Sequence, residues 1–211
     1  MAGLHEPEVP ADDEEVSPQT VGEVFQRHRD RLKLMVGLRL DQRLQGRVDA
    51  SDVLQDAYLE AVDRLPDYLQ DRPMPFFLWL RFLTAQRLQI LHRRHLSTKA
   101  RDAGREISLS HQPLPAVSSE VLAARLVGRD STPSEAAMRA ETRAQLHAAL
   151  DALNPIDREI LAMRHFEQLT NSETAQVLGL RESTASQRYA RALLRLRDLL
   201  RTLPGFSQAR P

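Results

Sequence analysis

Apolar residues recur along most of this chain at spacings of three and four, and no stretch alternates with period two long enough to predict a strand. From Thr20 to about Arg39 the pattern is Val21, Val24, Phe25, Leu32, Met35 and Val36, continued by Leu40. Asp49-Ala50-Ser51-Asp52 opens a second helix with the stripe Val53, Leu54, Ala57, Tyr58, Ala61 and Leu65. Pro66 is expected to end it, having no N–H to donate and a ring that crowds the preceding turn. Pro66 to Pro75 then reads as a polar loop. A third helix, rich in Phe and Leu and holding Trp79 and Ile90, runs from Phe76 to about His95. Ser97 to Pro133 lacks strong periodicity and contains Gly104, Gly128 and several prolines. So long a structureless connection is uncommon inside one domain, so 97–133 is expected to be a flexible linker, with a helical turn or two at Val121–Val127. Residues 1–18, acidic and aperiodic, are expected to form a disordered tail. The expected architecture is all-α: a three-helix domain over 19–96 and a second helical domain over 134–204.

The second domain carries its own punctuation. Asn154-Pro155 reads as an N-cap followed by proline at the first helical position, with Asp157 and Glu159 in the positive first turn. That helix holds Ile160, Leu161, Met163 and Phe166 and ends near Gln168. Thr170-Asn171-Ser172-Glu173 is a capping box, in which hydroxyl and carboxylate reciprocally satisfy orphan amides. A short helix through Ala175, Val177 and Leu178 stops at Gly179, the residue type that tolerates a left-handed cap. A longer helix starts near Ser183, with Ala185, Tyr189, Ala192 and Leu196 turned to the core. Two helices joined by such a turn form the motif whose second helix enters the DNA major groove.

On the opposite side of that last helix lie Gln187 and Arg191, with Ser183, Thr184, Ser186 and Arg195 around them. Gln pairs bidentately with adenine and Arg with guanine, which makes Gln187 and Arg191 the candidate base readers. Arg195 is expected to supply phosphate affinity, and hydroxyls at a helix start suit phosphate oxygens. Arg188 sits at the core boundary, either on DNA or on a buried acid. The bland alternative is a solvated basic face.

Charge changes the picture through its distribution. The 211 residues hold 29 basic and 29 acidic side chains, so net charge alone argues against a uniformly basic nucleic-acid binder. Yet Asp49 to Asp71 is acidic, and Arg87–Arg105 and Arg181–Arg201 are basic, as expected where segments meet different partners. Without cysteine there are neither disulfides nor thiolate metal sites. No apolar run approaches a membrane span and no signal-peptide pattern opens the chain, so a cytoplasmic protein without membrane contact is expected.

Asp52 and Asp56 share a helix face with Gln55 between them. They would serve a metal, acid–base chemistry or docking to a basic partner, or else be merely solvated. His92 and His95 have no further ligand in register, so no metal site is expected there. The basic end of the third helix, Arg87 with His92-Arg93-Arg94-His95, is either a phosphate track or solvated polarity. Phe76, Phe77, Trp79 and Phe82 read as core, although one exposed ring would suit base stacking.

Together these segments resemble a bacterial RNA polymerase sigma factor of the small, extracytoplasmic-function (ECF) type in the sigma-70 family. Asp49-Ala50-Ser51-Asp52-Val53-Leu54-Gln55-Asp56-Ala57-Tyr58 is similar to the region 2 helix that grips the polymerase clamp. Phe76-Phe77-Leu78-Trp79-Leu80 through Arg93-Arg94 matches the helix facing the −10 element. Leu153 to Leu161, Glu173 to Leu180 and Ser183 to Ala192 follow the region 4 pattern. The family usually has Gly where Ser183 stands, Lys or Arg at Ser186, and Ser or Pro at Arg181, departures that bear on −35 preference. The resemblance implies core polymerase (β′ clamp, β flap) and promoter DNA as partners, and admits an anti-sigma factor. It implies polymerase contacts by Asp52, Leu54, Gln55, Asp56 and Tyr58, and −10 contacts by Trp79, Arg81, Arg87, Arg93 and Arg94. The −35 contacts would come from Ser183, Thr184, Ser186, Gln187, Arg188, Arg191 and Arg195. It implies recruitment without catalysis, cofactor or metal. A helix-turn-helix regulator that is no sigma subunit, or a carboxylate metalloenzyme using Asp52 and Asp56, are the competing readings.

Overall fold

In the computed structural model, residues 16–44, 46–96, 115–127 and 133–201 are described, and among them every regular element is helical. The helices are α1 (Val21–Arg39), α2 (Ala50–Asp71), α3 (Phe76–Leu96), α4 (Ser119–Val127), α5 (Pro133–Asp151), α6 (Pro155–His165), α7 (Asn171–Leu178) and α8 (Glu182–Arg201), with a 3-10 turn at Gln42–Leu44. They fall into two compact units, Met1–Ala116 and Val117–Pro211.

In the first unit α1, α2 and α3 pack on one another. Val24, Leu32, Val36, Ala57, Ala61, Phe76, Leu83 and Leu88 are fully buried between them. Asp49 caps α2, accepting from Ser51 N–H at 2.9 Å while Asp52 accepts from Asp49 N–H at 3.2 Å. The Ser51 amide holds the Asp49 carboxyl below its ordinary range. Residues 1–15 of the expected tail lie outside the described residues. Val16 is buried, and Ser17 and Thr20 exchange backbone-to-hydroxyl bonds of 2.9 and 3.3 Å, so packed structure starts before residue 18.

Pro66 does not end α2. The helix continues to Asp71 with Pro66 inside it. Both Pro66 and Val62, whose carbonyl loses its partner, lie on the exposed face, where water can take over the lost bond. One turn later the buried Tyr68 packs against Phe76 and Trp79 (centroids 5.4 and 4.6 Å) and anchors the extension. Arg72, left-handed at φ 38°, closes it, and the Tyr68 hydroxyl donates to Met74 O at 2.9 Å across the short connection to α3.

In the second unit α4 packs along α5, and α8 packs against α5, α6 and α7. The segment expected to be linker therefore divides. Residues 97–114 and 128–132 lie outside the described ones, whereas Val117–Val127 is part of the second unit. Val117, Leu122 and Ala123 are buried. Val117 N–H donates to the Glu159 carboxylate at 2.8 Å, and Ser119 Oγ to Asp151 at 2.6 Å. Arg158 donates to the carbonyls of Leu150 (3.0 Å) and Asp151 (3.2 Å), which quiets the end of α5.

Candidate nucleic-acid and docking surfaces

The helix-turn-helix is assembled by local caps. Ile156 N–H donates to Asn154 Oδ1 at 3.0 Å to start α6. Thr170 N–H donates to Glu173 Oε2 at 2.7 Å and Glu173 N–H to Thr170 Oγ1 at 3.1 Å, a complete capping box on α7. Gly179 closes α7 at φ 63°, ψ 34°, where a side chain would be strained. Asn171 Nδ2 then donates to Glu182 O at 3.0 Å, tying the start of α7 to the start of α8. Ala185 and Ala192 are buried under α8, while Tyr189 and Leu196 on the same stripe are half-buried. The Tyr189 hydroxyl meets His165 Nε2 at 3.0 Å. Burial, and secondarily Arg164, hold the His165 imidazole below its ordinary pKa.

This scaffold leaves Ser183, Ser186, Gln187 and Arg191 exposed on α8, with Thr184 half-buried beside them. Two of the expected DNA arginines are placed otherwise. Arg188 Nη1 lies 3.5 Å from Asp157 Oδ1, and Arg195 Nη1 donates to Asp157 Oδ2 at 2.5 Å. Asp157 is buried in the first turn of α6. Arg188 thus takes the buried-acid alternative, and Arg195, expected on phosphate, is drawn to the same carboxylate. First-turn acid was legible at Asp157, but two partners from a distant helix were not.

On α2, Asp52, Gln55 and Asp56 are exposed together. Leu54 is a correction: at 2 % exposure it belongs to the three-helix core and offers nothing to a partner. Tyr58 is half-buried, its ring 5.0 Å from that of Phe25 and its hydroxyl over Gly22, where a Cβ would approach to 3.3 Å. Sequence reasoning missed Leu59 and Val62, 60 % and 43 % exposed. They lie seven and ten residues beyond Asp52, so they extend its face by helical periodicity, a spacing that the sequence already contained.

On α3, Trp79 and Arg81 are buried, so neither presents a surface to DNA. Trp79 stacks on Tyr68 and leans on Phe76 at 5.5 Å. Arg87 is half-buried, and its Nε donates to Glu60 Oε2 at 2.6 Å, joining α3 to α2. Arg93 and Arg94 are exposed as expected. Phe76 and Phe77 are core, but Phe82 is the exposed ring, at 45 %. Gln86, Gln89 and Arg93, at i+4, i+7 and i+11 from Phe82, continue one strip of aromatic, amide and basic groups. His92 is half-buried and accepts from Asp41 N–H at 3.4 Å, and burial lowers its pKa first of all. Among the described residues no cluster of three His, Asp or Glu is placed to hold a metal, and no helix is long and apolar enough to cross a membrane.

Residues 149–198 match the family described as sigma-70, region 4. That match spans α6, α7 and most of α8, the whole of the helix-turn-helix. Curated relatives extend the likeness beyond it. The ECF RNA polymerase sigma factor SigD of Mycobacterium tuberculosis is 29% identical over 151 residues, 72% of this chain and 63% of the relative. The RNA polymerase sigma-E factor of Streptomyces antibioticus is 42% identical over 60 residues, 28% of this chain and 33% of its own length. The chain thus spans somewhat less than two thirds of the length of SigD. In fold it is similar to CnrH, solved in complex with the cytosolic domain of CnrY, with a TM-score of 0.50 and 21% identity over 91% of this chain and 94% of that one. The region 4 match and the sigma relatives bear out the resemblance to small ECF-type sigma factors, and the all-helical fold accords with it.

Proposed function

We propose that this chain is a sigma subunit that binds core RNA polymerase and directs initiation at its own promoters. The observation that carries this reading is the exposed Ser183–Arg191 face of α8, presented by a helix-turn-helix whose α6 and α7 start on side-chain caps, inside the region 4 match. Gln187 and Arg191 would read the −35 duplex by base-edge hydrogen bonds. The Phe82–Arg93 strip of α3 would take an unstacked −10 base against the Phe82 ring and the adjoining backbone against Arg93 and Arg94. On α2, Asp52, Gln55 and Asp56 would meet a basic coiled coil of the β′ clamp, the charges steering encounter and Leu59 and Val62 filling apolar contact. Region 4 would lie against the β flap. The chain acts by recruitment and breaks no bond. Because CnrH is held by the cytosolic domain of CnrY, an anti-sigma partner is also part of this reading.

The test is pull-down with core polymerase followed by run-off transcription from promoters selected by the reconstituted enzyme. Stoichiometric binding and promoter-dependent transcripts are expected, with binding weakened by Asp52→Ala combined with Asp56→Ala while helical content persists. Duplex binding without any affinity for core polymerase would instead make it a conventional helix-turn-helix regulator.

A further inference from the structure

Asp157 is a single buried carboxylate with two guanidinium partners, both from α8. Arg188 and Arg195 are seven residues apart, close to two full turns, so they form one stripe along the helix. That stripe flanks the exposed Gln187–Arg191 face. One arginine would be enough to neutralise the acid. The second, Arg195, keeps 60 % of its side chain exposed yet makes the shorter contact, 2.5 Å. In a basic helix the default fate of such a side chain is a phosphate oxygen, which attracts every sequence alike.

We propose that Asp157 is a specificity-setting residue: its carboxylate withdraws Arg188 and Arg195 from the DNA backbone and keeps sequence-independent attraction low. Discrimination by Gln187 and Arg191 then forms a larger share of total affinity, because phosphate contacts add to right and wrong sites equally. The inference rests on α8 being a duplex reader, and it concerns a residue that touches no DNA itself. It acts through the arginines it holds.

The test uses the full chain and a short random-sequence duplex beside a selected −35 duplex, titrated across a series of salt concentrations. Asp157→Asn keeps the shape and one acceptor oxygen but removes the charge. Affinity for random duplex should rise several-fold, its logarithmic salt dependence should steepen by roughly 1 to 2, and the selected-to-random ratio should fall. A purely structural role would lower affinity for both duplexes. Arg195→Gln in the native background should leave the salt dependence unchanged, and in the Asp157→Asn background should take back about one unit of it. A loss of about one unit from Arg195→Gln in the native background would place Arg195 on phosphate already and overturn the proposal. So would a folded Asp157→Asn chain with unaltered random-duplex binding. If Asp157→Asn does not fold, the single Arg195→Gln result decides. A native chain that binds neither duplex at low salt would instead bring down the reading of α8 as a duplex reader, and this inference with it.

Discussion

Arg191 is exposed one turn beyond Gln187 on α8, clear of the carboxylate that gathers its neighbours Arg188 and Arg195. Arg191→Ala is expected to cost about 1–3 kcal/mol at one base pair and to relax preference there. A binding panel of −35 variants checks this, and an equal loss on every variant would mean that another face of α8 reads the bases. At His165 the chemistry is internal. Its folded pKa lies below the ordinary 6.5, so the unfolded chain binds the proton more readily. Its contribution to stability is complete above about pH 6.5 and declines as pH falls toward the folded value. The melting temperature should therefore drop on going from about pH 7.5 to about pH 5.5, and His165→Gln, which cannot titrate, should flatten that drop. An identical pH profile in the variant would show that the loss arises elsewhere. None of this pairing was legible in the sequence. Asn154, Thr170 and Gly179 act on residues within a few positions of themselves, so their roles could be read in advance. Asp157 acts on residues 31 and 38 positions away, which only packing brings near.

Helix ends and helix interiors differ in how well sequence specifies them. Gly179 occupies left-handed backbone with nothing within 4 Å of where a Cβ would sit, so the cost of a side chain there is purely conformational. Gly179→Ala should destabilise the second unit by about 1–2 kcal/mol, and Gly179→Asn by less, as measured by urea unfolding. Equal stability of all three would mean that the turn relaxes to another geometry. The interior of α2 obeyed a different rule. Pro66 is a strong local stop signal, but Tyr68 beyond it is buried among aromatic rings, and that packing outweighs one lost hydrogen bond on the solvent side. In the same way α4 is too short to show convincing periodicity, and its place is set by Asp151 and Glu159 on other helices. On α3 the reading erred over which groups face outward: an apolar-rich helix offers several possible outer faces, and Phe82 was exposed where Trp79 had been expected to meet DNA.

At the level of the whole molecule, the two units set where the chain can be divided. We expect a fragment of residues 115–201 to fold as the second unit, whereas one beginning at Ser134 leaves the α4-facing side of α5 bare and Glu159 without the Val117 amide. Thermal melts followed by circular dichroism should show a cooperative transition for the longer fragment and a lower, broader one for the shorter. Equal melts would assign α4 no part in that fold. The first unit carries a different obligation. Leu59 and Val62 are exposed side by side on α2 within a border of Asp52, Asp56 and Asp63. Like charges around an oily spot keep identical molecules apart in dilute salt. Screening shortens their reach to about 10 Å at 0.1 M ionic strength and about 3 Å at 1 M. Chain made in excess over whatever covers α2 should thus become stickier to its own kind as salt rises, the reverse of what it should do toward DNA, and sedimentation at two ionic strengths would reveal that opposition.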